Sequence, residues 1–170
     1  MQEFETYTLP NGIKGIHRRT RSSVAHCALV INAGTRDEHK DEYGLAHFAE
    51  HAIFKGTKRR KAYQINCRLE NRGGELNAYT TKEDTTIHAT TLRSDFSKAV
   101  ELIADVAFNS TFPERELVKE REVIVDEIII LEQCAGSGVM DVDVLLEQGS
   151  VEKVIFEFSQ EGIDAGLINT

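Results

Sequence analysis

The chain has 170 residues, 41% hydrophobic and 28% charged, enough for one ordinary core and for one domain or part of a larger one, which sets disorder aside. A net charge of −8 and a pI of about 5.3 leave no basic face to recruit nucleic acid or an anionic membrane. Cys27, Cys67 and Cys134 are odd in number and far apart, with no CxxC pair, so neither a disulfide framework nor a cysteine zinc site is indicated and a reducing compartment fits.

Residues 4–9 and 13–18 flank Pro10-Asn11-Gly12, whose Asn-Gly pair tolerates positive φ, and this predicts a hairpin. Residues 24–33 form a longer, more apolar strand that ends at Gly34. Asp41 stands where it can cap a helix running to Lys55, with Gly56 as its stop. Leu45, Phe48, Ala49, Ala52 and Ile53, three and four apart, give that helix one buried stripe. The short basic cluster 58–61 reads as a solvated loop after it. A second helix is expected over 62–71, ended by Gly73-Gly74. Strands at 75–81 and 85–92, rich in Thr, Tyr and Ile, follow, with Lys82-Glu83-Asp84 as their turn.

Asp95 can cap a third helix reaching Asn109, with Phe96, Ala99, Val100, Ile103, Ala104 and Ala107 on one face. Pro113 suits the first turn of a fourth, through Gln133. The order predicts an α+β layer, a sheet with helices packed on one side. Past Gln133 the pattern weakens. Ala135-Gly136-Ser137-Gly138 breaks the helix, and the apolar runs 142–146 and 154–158 fit no clear element. The expected organisation is therefore a domain over 1–133 and an atypical tail over 134–170. The first dozen residues lack the apolar core of a signal peptide, and no window holds the roughly 18 apolar residues of a membrane span, which implies a cytoplasmic protein.

His47-Phe48-Ala49-Glu50-His51 concentrates the chemistry. His47 and His51 are four apart, about 400° of helical rotation, so both imidazoles project from one face and can share a metal ion. Neutral imidazole is a good zinc ligand, and Glu50 beside the same face can act as a general base. The same three residues could equally form the wet side of an amphipathic helix, since HxxEH arises by chance in roughly one such chain in fifty. A catalytic zinc site needs a third protein ligand. Glu120 and Glu127 are its best suppliers: seven apart on the fourth helix, they lie on one face two turns apart, with Val123 expected between them. A solvated acidic face is the alternative reading of these glutamates. His17, His26, His39 and His88 have no partner motif and read as satisfied or solvated side chains.

HFAEH, then GGELNAYTTKEDTT, then KEREVIVDEI, in that order and at that spacing, resemble the catalytic domain of the M16 zinc metallopeptidases, the inverzincins. PNGIK, AGTRDE and FKGT extend the resemblance from about Phe4 to Glu132. It implies that His47, His51 and Glu127, 76 residues after His51, hold one Zn²⁺ ion, that Glu50 is the general base, and that Glu120 supports the site without binding the metal. It implies further that Asn77, Ala78 and Tyr79 lie on an exposed edge strand that pairs with an extended peptide substrate. Ala49 and Ala52 stand where the family commonly has larger apolar residues. Family members place two or more such domains, or two subunits, around a chamber, whereas residues 135–170 do not resemble the expected continuation. Two readings therefore stand: a zinc endopeptidase acting on peptides or unfolded polypeptides with a second domain or subunit, and a truncated or non-catalytic fragment that retains the zinc residues.

Overall fold

In a computed structural model, residues 4–135 are described, the side chains as far as Glu127. The runs at 142–146 and 154–158, and the Cys134 side chain, lie outside what is described. The described residues divide after Ser23 into two compact units. The first is the expected hairpin, β1 (Glu5–Thr8) paired antiparallel with β2 (Lys14–His17) in the register Glu5↔His17 to Thr8↔Lys14. Gly12 takes φ 87° in its turn, and Leu9 N–H donates to the Ile13 carbonyl (2.8 Å).

The second unit is built on a three-stranded antiparallel sheet in the order β3 (Val24–Ile31), β5 (Thr85–Leu92), β4 (Glu75–Thr80). The register places Cys27 beside Ala89 and Leu76, and Leu29 beside Ile87 and Ala78. Those residues share one face, as the two-residue period of a strand requires. Two helices cover that face: α2 (Ala62–Glu70) contributes Ile65 and Leu69, and α3 (Phe96–Phe108) contributes Ala99, Leu102, Ile103 and Val106. The other face carries exposed Val24, Val30 and Tyr79. The α+β layer with helices on one side is thus the observed architecture. A second, smaller core joins α1 (Leu45–Ala52) to α4 (Glu114–Ala135) through Phe48, Ala52 and Ile124, flanked by Phe112 and Leu117. Gly34 is buried under the β4–β5 turn, where a Cβ would come within 2.8 Å of the backbone of Thr81, Lys82 and Asp84.

Four local expectations are corrected. Asp41 does not cap α1: the helix starts at Leu45 behind Gly44 (φ 90°), and both oxygens of Glu38 accept N–H groups, from Gly44 (3.0 Å) and Ala46 (2.8 Å). A longer carboxylate reaching back from the preceding 3₁₀ turn does the work assigned to a local cap. The helix itself ends at Ala52, and Ile53–Lys55 tightens into a 3₁₀ turn before Gly56. Asp95 precedes α3 without capping it, because Lys98 (2.5 Å) and Arg72 (3.2 Å) engage its carboxylate, Lys98 foremost in holding that carboxyl below its usual pKa. The buried stripe of α3 is rotated from the expected one: Phe96 and Val100 are exposed, whereas Leu102 and Val106 are fully buried. This helix is apolar over most of its circumference, so periodicity alone does not choose the face.

The basic cluster 58–61 is not wholly solvated either. Arg60 turns inward to Asp105, a carboxylate on the buried side of α3 with only 2% of its surface exposed, and to Glu101 (2.7 Å). Burial works against the guanidinium charge, but Glu101 and Asp105 more than offset it and raise the Arg60 pKa. Thr57 Oγ1 (2.9 Å) and Asn109 Nδ2 (3.2 Å) also donate to Asp105. Losing one member of a buried ion pair strands the other, so Asp105→Ala is expected to destabilise the chain by about 3 kcal/mol. Urea denaturation followed by circular dichroism would show this as a lower midpoint at unchanged slope.

Candidate metal centre

The α1 helix presents His47 and His51 one turn apart, their rings perpendicular (88°) with centroids 4.8 Å apart. From α4, Glu127 Oε2 approaches His51 Nε2 to 3.4 Å and His47 Nε2 to 3.9 Å. One ligand atom from each of the three lies within 4.8 Å of the others, the sole such His/Cys/Asp/Glu group among the described residues. Donors about 2.05 Å from an ion at tetrahedral angles stand about 3.3 Å apart. The His51–Glu127 spacing matches that value and the His47–Glu127 spacing is wider, and two imidazoles with one carboxylate are a zinc-type donor set, so the residues fit the ion with a small inward movement of the ligand atoms.

Glu120 sits one turn below Ile124 on the same side of α4 and is 6% exposed. Its Oε1 accepts from His51 Nδ1 (2.9 Å), while Oε2 pairs with Lys55. With the proton held on Nδ1, the lone pair of His51 lies on Nε2, the atom that faces Glu127. The sequence marks Lys55 only as the end of the helix, yet its position four after His51 puts it on the same helical side, which is the available signal for its role here. The residue between the two glutamates differs from expectation: Val123 is 51% exposed, and Ile124 fills the buried stripe Leu117, Glu120, Ile124, Glu127. A seven-residue spacing accommodates either neighbour, and the four-then-three step is the one that packs on α1.

Glu50 is half-buried on α1 and makes no hydrogen bond or ion pair with the described residues, which leaves its carboxylate available. Strand β4 packs beside α1 and is an edge of the described sheet. Within it Ala78 is buried in the core, Asn77 Oδ1 accepts the Ala78 N–H (2.9 Å), and Tyr79 is half exposed with its ring 5.9 Å from that of His88. The Asn77 and Tyr79 side chains are therefore exposed, and the Ala78 side chain is not. The four other histidines are not members of this group. His26 meets Thr90 Oγ1 at 3.0 Å and His17 lies 3.6 Å from Glu5. Cys27 and Cys67 are free thiols, and burial pushes the Cys27 thiol up.

Residues 16–144 match the family described as Insulinase (Peptidase family M16). The chain is 40% identical over 126 residues to the mitochondrial-processing peptidase subunit beta of Rattus norvegicus, covering 74% of this chain and 26% of that protein. It is 45% identical over 100 residues to an uncharacterized zinc protease of Rickettsia bellii, covering 59% of this chain and 24% of the relative. A crystal structure of a protease from Helicobacter pylori superposes with a TM-score of 0.71 at 29% identity, over 74% of this chain and 31% of that one. The chain thus spans about a quarter of the length of these curated relatives.

Outer partners of a ligating histidine typically set metal affinity by 10- to 100-fold. Glu120→Ala is accordingly expected to weaken zinc binding by about 30-fold, as read by competition with a chromophoric chelator.

Proposed function

The chain belongs to peptidase family M16, the insulinase family, and from that premise we propose that it carries the zinc-binding centre of a metalloendopeptidase that hydrolyses peptides or unfolded polypeptides. The observation that carries this reading is the convergence of His47, His51 and Glu127 from two helices, with one ligand atom from each within 4.8 Å of the others. These three residues would hold one Zn²⁺ ion. Bound there, zinc supplies Lewis acidity, which polarises a peptide carbonyl and makes water a better nucleophile at neutral pH.

The chain's own residues supply the rest. Glu50, unpaired and next in sequence to His51, takes the proton from the attacking water and delivers it to the departing amine. Glu120 holds His51 in the tautomer that offers Nε2, and Lys55 holds Glu120. Along β4, the substrate pairs as an added strand through main-chain hydrogen bonds, with Asn77 and Tyr79 beside it. Main-chain pairing is indifferent to side chains, which suits a loose sequence preference.

A second domain or subunit completes the cleft in this reading. Its support is the word "subunit" in the name of the rat protein. One competing reading is a non-catalytic piece that binds zinc without turnover. No helix among the described residues is long and apolar enough to cross a membrane. The cytoplasmic location implied by the sequence has a competitor in the mitochondrial names of relatives.

Glu50→Gln separates catalysis from metal binding. Hydrolysis of a reduced, alkylated polypeptide is expected to fall by about 10³-fold while the zinc content stays at one ion per chain. Zinc bound by the unaltered chain with no hydrolysis would select the fragment reading, and an unchanged rate in Glu50→Gln would remove Glu50 as the base.

A further inference from the structure

A groove of about 730 Å³ runs along α2, away from the residues of the metal centre, and is lined by Arg59, Arg60, Gln64, Arg68 and Arg72, with Tyr63 among its other lining residues. No carboxylate lines it. The acids that hold these arginines are on or just before α3: Glu101 accepts from Arg60 (2.7 Å) and from Arg68 (3.0 Å), Asp105 pairs with Arg60, and Asp95 pairs with Arg72 (3.2 Å) and Lys98 (2.5 Å). Four cations thus meet three anions, and Arg59 adds a further positive charge to the groove, on a chain whose net charge is −8. The side chain of Arg59 has no ion pair among the described residues, and the buried Nε of Arg68 has no hydrogen-bond acceptor. A purely structural network joining α2 to α3 would not leave this excess of positive charge. Carboxylates fixing the guanidiniums from one side also pre-organise them, which lowers the entropic cost of gripping a second acid from the other.

We propose that this groove is a docking site for an acidic peptide segment, whose Asp and Glu side chains the arginines hold as carboxylates. Guanidinium and carboxylate match in a planar, two-point hydrogen bond. The volume falls in the range of about 300–1,000 Å³ typical of ligand-sized pockets, larger than one inorganic oxyanion fills. Exposed Tyr63, with 75% of its surface open, offers an aromatic wall for the peptide backbone. The assignment rests on residues outside the metal centre and stands whether or not that centre is catalytic.

Fluorescence anisotropy with labelled hexaglutamate on the 170-residue chain tests it, beside labelled hexalysine and an uncharged Gly-Ser hexapeptide. Saturable binding of hexaglutamate alone is expected, weakening as salt rises. The pair Arg59→Ala with Arg72→Ala should weaken it by about tenfold. That variant keeps the Arg60–Asp105 pair and leaves Asp95 with Lys98, so its circular dichroism and zinc affinity should match the parent. Hexaglutamate binding no tighter than the uncharged peptide, or equally tight binding by a folded double variant, would overturn the proposal. Displacement by inorganic phosphate at concentrations below those of the peptide would also overturn it, in favour of an inorganic oxyanion site.

Discussion

The buried carboxylate of Glu120 is the constraint on which the proposed metal centre depends. A carboxylate with 6% of its surface exposed is tolerated only if its charge is met and its oxygens are bonded. Here one oxygen takes the His51 Nδ1 proton and the other takes Lys55, so both partners come from the segment around α1, 69 positions away from Glu120 in sequence in the case of His51. That requirement fixes the rotation of α4 about its axis. Once Glu120 faces α1, Ile124 faces it a turn later and Glu127 arrives beside the two imidazoles. The proposed third ligand, Glu127, is therefore delivered by a hydrogen bond that it does not itself make.

Close approach of α1 and α4 is the second condition, and small side chains supply it. Ala52 is fully buried between Phe48 and Ile124, and Ala49 is half-buried one turn earlier. The connection into α4 is tied to the end of α1 by main-chain bonds, Thr111 N–H to the Gly56 carbonyl (3.0 Å) and Lys58 N–H to the Asn109 carbonyl (2.9 Å). Ser110 Oγ adds a bond to the Ile53 carbonyl (2.9 Å). Phe112 adopts φ 46° there and packs against the small core. A bulky residue in that region of φ is costly, and such a conformation persists only where its surroundings over-determine it. The tied backbone and the packed ring are what over-determine it here.

Much of this was legible in the sequence, for reasons that differ by element. The hairpin, the strands and the order of the helices follow from turn chemistry and apolar period, which are local. The two histidines could be placed on one face because four residues make about 400° in any α-helix. What was illegible was set by partners distant in sequence. Glu38 supplanted Asp41 as the cap because a loop returned its carboxylate to the helix start. Lys98 drew Asp95 away from capping, and Arg60 left the basic loop to meet Asp105. For α3 and α4 the sequence offered more than one apolar face, and only the sheet and α1 decided between Val100 and Leu102, or between Val123 and Ile124.

The placement of β4 beside α1 joins the two halves of the proposed chemistry. An added peptide strand can sit in only a few registers on an edge, because main-chain donors and acceptors recur every two residues. Pairing therefore positions a carbonyl relative to α1 without reading any side chain. Orientation of this kind converts a chance encounter into a near-attack geometry, the part of catalysis most sensitive to rigid support. The rigidity comes from β5, which is paired on both sides and buried through Ile87 and Ala89 against α2 and α3. In this arrangement the main core holds the strand, the small core holds the proposed ligands, and both meet at the single helix that carries His47, Glu50 and His51.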